Sequence, residues 1–235
     1  MLYYGGVRKL LAASAPNLRL WDHGYGSKRA GPLGLKAMLK PYTYNLRNGD
    51  GELLNLDFEI PNDNTDPDGL AEIFSQQKTQ PPKNTISRLL EFDVIIFKSC
   101  FPVTAIQTET QLEQYKRSYI EIRETIDQNP DRLFIPMTPP PLRATRTTSD
   151  QADRARRFAS WIMSQEFCGG RKNMIPFDFF SELASLGTAK MPNVLRPEYC
   201  MTFPFDSHPN KIAHTTIAPK WTRFVVTVTN AFYER

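Results

Sequence analysis

The chain has 235 residues, of which 40% are hydrophobic, 23% charged and 11% aromatic, with a formal net charge of +4. That suffices for one sizeable core and is the composition of an ordinary globular domain, which excludes a disordered chain, a fibrous repeat and a disulfide scaffold. The basic residues, among them Arg143, Arg146, Arg154, Arg156, Arg157 and Lys211, are scattered. A nucleic-acid surface needs a dense basic face with interleaved aromatics, so no nucleic-acid partner is expected.

Cys100, Cys168 and Cys200 are odd in number and lack a CxxC spacing, which suits buried thiols better than disulfides or zinc. Neither a metal nor a cofactor is expected. No stretch approaches the ~20 apolar residues of a membrane span. Arg8 and Lys9 interrupt the apolar run of residues 1–11, which is not how a signal peptide reads. As written, the chain is expected in the cytoplasm, unless a leader has been lost with the N-terminus; its oligomeric state is left open.

In chain order, Leu2, Val7, Leu10 and Leu11 have helical spacing ahead of Pro16. Residues 17–22 alternate apolar and polar, as a short strand does, and residues 23–60 read mostly as loop. Asp66 and Pro67 suit the cap and first position of a helix running to about residue 77. A helix over about 85–91 leads into Phe92-Asp93-Val94-Ile95-Ile96-Phe97, whose apolar run suits a strand buried on both faces of a parallel sheet. Thr108 and Gln111 form a capping-box pattern, followed by a helical stripe of Leu112, Tyr115, Tyr119, Ile122 and Ile126 that Asn129-Pro130 ends.

Leu133-Phe134-Ile135-Pro136-Met137 reads as the next strand, stopped by Pro139-Pro140-Pro141. A helix over about 151–165 buries Ala155, Phe158, Ala159 and Ile162. Residues 173–177 form a short strand leading to Asp178 and a helical turn. Pro219 is expected to open a last helix with Trp221, Phe224, Val228 and Phe232 on one face. Strands alternating with helices imply βαβ units, hence a single α/β domain over residues 1–235 with a doubly wound parallel sheet.

In such a sheet ligands bind beyond the carboxyl ends of the strands. The Asp206-Ser207-His208-Pro209-Asn210 segment follows the last strand and joins that rim. A carboxylate beside an imidazole suits general-base work, because it sets the tautomer and stabilises the imidazolium while the other ring nitrogen takes a proton. The bland reading is a loop whose Asp and His merely cap a helix.

This segment, with the helix after it, resembles the last block of SGNH/GDSL-type ester hydrolases. The resemblance continues as strand order through Ile95-Ile96-Phe97-Lys98-Ser99-Cys100-Phe101-Pro102, Thr138-Pro139-Pro140-Pro141-Leu142 and residues 173–180. It implies a flavodoxin-like sheet and Ser-His-Asp acyl transfer to water, with His208 as base and Asp206 as its orienter. It also implies a small-molecule ester or acylated glycan as substrate. Two departures stand out. The family's Asp lies three residues before the His, where this chain has Phe205, so either Asp206 reaches or a backbone carbonyl serves instead. The family also begins with a strand delivering the nucleophilic serine to the first helix, and no Gly-Asp-Ser-like segment precedes residues 1–11. The resemblance therefore implies a chain truncated ahead of that block, without its first strand; the alternative is a non-catalytic binding or accessory domain that keeps the fold.

Ser99 falls where the family's oxyanion-hole block belongs, and its hydroxyl or the amides around Cys100 are candidate donors to an oxyanion; the plainer reading is a polar strand end. Cys100 reads as a buried thiol rather than a replacement nucleophile. Residues 64–69 mimic the start of a calcium loop, but the twelfth position is Ser75 and helix capping explains the same letters. His23 reads as part of a turn, and His214 as flanking the last helix. No GxGxxG or GxxxxGK[ST] segment appears, which ranks nucleotide binding last.

Overall fold

The structure is a computed structural model that describes residues 5–23, 46–54, 66–187 and 190–234. Its centre is a pair of parallel strands, β3 (Val94–Phe97) and β4 (Leu133–Pro136), in register from Val94 against Leu133 to Phe97 against Pro136. The odd-numbered amides Leu133 and Met137 donate to Asp93 and Phe97 of the β3 side, at 2.9 and 2.8 Å. The even-numbered amides Phe134 and Thr138 donate the other way, to Asn173 and Phe177, at 2.8 and 3.1 Å. Between them sits Pro136, which has no N–H to give. The expected strand over 173–177 is therefore realised as two parallel bridges, Phe134 with Met174 and Met137 with Phe177. The result is a mixed α/β structure with a small two-stranded parallel sheet; among the described residues there is no clear doubly wound sheet of the kind expected from the sequence.

Two further short strands, β1 (Asp22–His23) and β2 (Leu46–Arg47), pair antiparallel apart from this sheet. Residues 17–20, expected as strand, are not: the pairing begins only at Asp22. Arg8, from the first helix, reaches Asp22 and the carbonyls of Leu20 and Asn48. Those polar contacts, more than alternation of side chains, shape the segment.

The described helices are α1 (Val7–Ser14), α2 (Pro67–Phe74), α3 (Thr85–Leu89), α4 (Glu109–Asp127), α5 (Ser149–Ile162), α6 (Gln165–Cys168), α7 (Phe179–Leu183) and α8 (Lys211–Tyr233). They divide between two cores because strand side chains alternate faces. Ile95, Phe97 and Phe134 pack with α2, α4 and α5 through Phe74, Tyr119, Ile122 and Phe158. Leu133, Ile135 and Met137 pack with α1 and α8 through Val7, Leu11, Ile217 and Trp221. Every residue of β4 is buried, which accounts for its unbroken apolar run. Among the described residues no helix is long and apolar enough to cross a membrane.

Several helix ends differ from expectation. Asp66 occupies the cap of α2 without a side-chain capping bond, while Asp68 accepts from Ser118 at 3.2 Å and ties α2 to α4. At α4, Thr108 accepts from the Gln111 amide, but the Gln111 side chain takes the Gln107 amide instead of closing the box. The complete box is at α5, between Thr148 and Gln151. The largest correction is α8. It begins at Lys211, not Pro219, because Asn210 caps it by accepting from Ala213 at 3.1 Å, and because Ala213, Ile217 and Ala218 bury its first turns. Pro219 removes one internal hydrogen bond, a cost that this packing offsets. The β-branched residues Val225 and Thr229 are helical for the same reason: both are buried.

Beyond the carboxyl end of β4, fully buried Thr138 accepts from the Phe180 amide at 2.7 Å and donates to Asp178 at 3.2 Å. Thr222 on α8 is also buried, and its hydroxyl has no partner among the described residues. The two threonines are expected to respond oppositely. Thr138→Val leaves a buried amide unpaired and should cost about 1–3 kcal/mol. Thr222→Val removes a desolvated hydroxyl and should raise stability by about 1 kcal/mol. Urea denaturation of both variants measures the contrast.

Candidate active site

The loop carrying Asp206 and His208 is closed at its base. Cys200 bridges Pro209, and the Asn210 amide donates to Tyr199 at 2.8 Å. The Asn210 side chain donates to the carbonyls of Glu198 and Cys200, at 2.8 and 3.0 Å, while its oxygen caps α8. One residue thus joins the entry of the loop to the helix that follows.

Within that frame the two-residue spacing between Asp206 and His208 proves sufficient. Asp206 Oδ1 lies 2.6 Å from His208 Nδ1 and accepts from the His208 amide at 2.8 Å. The same oxygen thereby fixes both backbone and ring. Partial burial pushes the Asp206 carboxyl up, but the His208 amide and ring, with the charge of Arg143, outweigh it and hold the group below the usual aspartate range. With Nδ1 engaged, Nε2 is the nitrogen available to a nucleophile's proton. The His208 side chain keeps 58% of its surface exposed. Phe101, just past β3, meets its ring edge-to-face with centroids 4.6 Å apart. Buried Ser207 accepts from the Arg143 amide at 3.4 Å. The loops after β3 and β4 therefore converge on the histidine loop, whereas Asp178 turns away to accept from Ser181 at the head of α7.

Ser99 is fully buried, and its hydroxyl lies 3.1 Å from Tyr119 Oη. Burial, partly offset by Ser99, pushes the Tyr119 phenol up to about 12. Ser99 thus faces the α4 core, and the structure does not bring its hydroxyl to His208. Among the described residues, His208 forms no hydrogen bond with a serine, threonine or cysteine; its partner is Asp206. Cys100 is a buried free thiol. Beside it, burial pulls the Lys98 ammonium below the ordinary lysine range, with Cys100 pulling the other way.

Among the described residues no cluster of three or more His, Cys, Asp or Glu side chains is placed to hold a metal. Residues 64 and 65 of the calcium-like segment lie outside them. His23 pairs with Leu46 through its backbone. His214 lies inside α8, in its first turn, rather than beside the helix.

Sequence reasoning passed over Phe101 and gave Arg143 no role at the site. Phe101 follows the central strand and was legible as a rim residue by position. Arg143 follows three prolines and a leucine, and carries no signal by itself.

Burial lowers the His214 pKa to about 4. An unfolded histidine titrates near 6.5, so between these values the unfolded chain binds the extra proton. Stability should be full above about pH 6.5 and fall as the pH drops toward 4. Asp206, with its depressed carboxyl, should add its own loss only below about pH 3.9. Urea midpoints at pH 7, 5.5 and 4.5 measure this, and His214→Asn should flatten the upper window alone. No protein family, curated protein or solved structure matches this chain.

Proposed function

We propose that this chain is an ester hydrolase of the SGNH/GDSL type acting on a small-molecule ester or acylated glycan. His208 is the general base and Asp206 its orienter. The observation that carries the reading is the single Asp206 oxygen bound to both the amide and the ring Nδ1 of His208. That arrangement fixes a tautomer and steadies an imidazolium, the two tasks an acyl-transfer base requires of its carboxylate. On this reading Val94–Phe97, Leu133–Pro136 and the 173–177 segment are consecutive strands of a flavodoxin-like, doubly wound sheet. The first helix, α1, packs on the helix that follows His208, with Val7 and Leu11 sharing a core with Ala213 and Ile217.

A second reading is a non-catalytic binding or accessory domain that keeps the fold. It is favoured by the Ser99 hydroxyl being engaged with Tyr119 and by the lack, among the described residues, of a hydroxyl bonded to His208.

Turnover of p-nitrophenyl acetate separates the two. The hydrolase reading expects turnover that His208→Ala lowers by roughly 10²–10⁴-fold, and that Asp206→Asn lowers in kcat with KM unchanged. Turnover that survives His208→Ala undiminished would sink it. For the serine, the nucleotide sequence ahead of the Met1 codon is the direct test. An in-frame strand ending in a serine flanked by small residues supports the hydrolase, and an immediate stop codon leaves the accessory domain.

A further inference from the structure

We infer that Arg143 is the positioning residue of the Asp206–His208 pair. Its Nη1 lies 2.7 Å from the Phe203 carbonyl, 3.4 Å from that of Met201 and 3.4 Å from that of Asp206. One end of a guanidinium thus gathers three carbonyls of the histidine loop, the last belonging to the carboxylate residue itself. The Arg143 main-chain amide donates to Ser207, the residue between Asp206 and His208. Side chain and backbone of one residue therefore grip the loop on both sides of the Asp206 side chain.

Asn210 secures the base of the loop and Thr145 donates to the Pro204 carbonyl at 3.4 Å, but the stretch around Phe203 and Phe205 has little apolar support. Phe203 and Phe205 are 63% and 64% exposed and pack chiefly on each other, edge-to-face at 5.6 Å. Apolar burial contributes little there, so polar anchoring decides the shape. Arg143 is itself firmly based. It follows residues 139–142, all buried and continuous with β4, and the Leu142 carbonyl accepts from Leu195 at 2.8 Å. A guanidinium suits the task because it is always charged and its donors are fixed in a plane. The rigidity of the sheet is transmitted to His208 through this residue: with Arg143 in place the Asp206 carboxylate stays against Nδ1, and without it the loop carbonyls separate and the ring loses its tautomer bias.

The effect on turnover rests on the hydrolase reading; the effect on the imidazole does not. Long-range ¹H–¹⁵N spectra of the full ¹⁵N-labelled chain, with His208 assigned through His208→Asn, should show the neutral ring as the Nδ1–H tautomer. Arg143→Ala should shift it toward Nε2–H and speed exchange of the His208 amide about tenfold or more, leaving the Phe134 and Ile135 amides protected. Arg143→Lys, charged but shorter, should restore part of both effects, and it also carries the test should the alanine variant fail to fold. Where esters are turned over, kcat should fall by about 10–100-fold with KM unchanged. An unchanged tautomer and unchanged His208 exchange in Arg143→Ala would overturn the inference. A shifted tautomer in a chain without ester turnover would instead count against the hydrolase reading and leave the role of Arg143 standing.

Discussion

Strand β4 is the member on which the other elements depend. Its four residues are all buried, so each of its amides must find a partner inside the protein. The odd ones turn to β3 and the even ones to the 173–177 segment. This two-sided pairing aligns three segments in parallel and sends their side chains alternately into the α2–α4–α5 core and the α1–α8 core. The single missing donor, at Pro136, leaves out one bond toward the third segment, whose Ile175 and Phe177 amides still donate to Phe134 and Pro136. Because the strands run in parallel, the chain leaves each of them at the same end, and the loops carrying Phe101, Arg143 and Asp178 begin there.

The histidine loop joins that end from a different direction. It reaches the rim from the short helical turn at Pro197–Tyr199 and departs into α8. Asn210 secures its base, Phe101 supplies a face for the imidazole, and Arg143 collects its carbonyls. Each of these contacts is weak in isolation and directional in character, and together they hold an exposed histidine beside a half-buried carboxylate. The result is an imidazole whose Nδ1 and backbone amide both face one carboxylate oxygen. The Ser99 hydroxyl, by contrast, is committed to Tyr119 inside the α4 core, where burial keeps the phenol protonated well above neutral pH.

Much of the fold was legible because strong local signals coincided with burial. The runs at 94–97 and 133–136 are apolar on both faces, and the stripes of α4 and α5 repeat at helical spacing. Legibility failed where a local rule was overridden by packing or by polar contacts. Pro219 favours a helix start, yet the Asn210 cap and the buried Ala213, Ile217 and Ala218 carry the helix through it. Residues 17–20 alternate like a strand, but the contacts of Arg8 leave only Asp22 and His23 paired.

At the site, the sequence by itself determined the chemical pair. Asp206 and His208 stand two residues apart in one short loop, and Pro209 and Asn210 fit them to a helix start, so local geometry can bring carboxylate and ring together. Tertiary structure alone decided what surrounds them. Phe101 and Arg143 lie 107 and 65 positions from His208 in the numbering, and nothing in their neighbours announces a partnership. They meet it because parallel pairing gathers the ends of β3 and β4 on one side of the sheet. The same pairing sent Ser99, by position a candidate for the rim, into the opposite role of a buried hydroxyl. Two residues of spacing can be read from a sequence, whereas the side on which a strand's next residue turns is set by the helix packed against it.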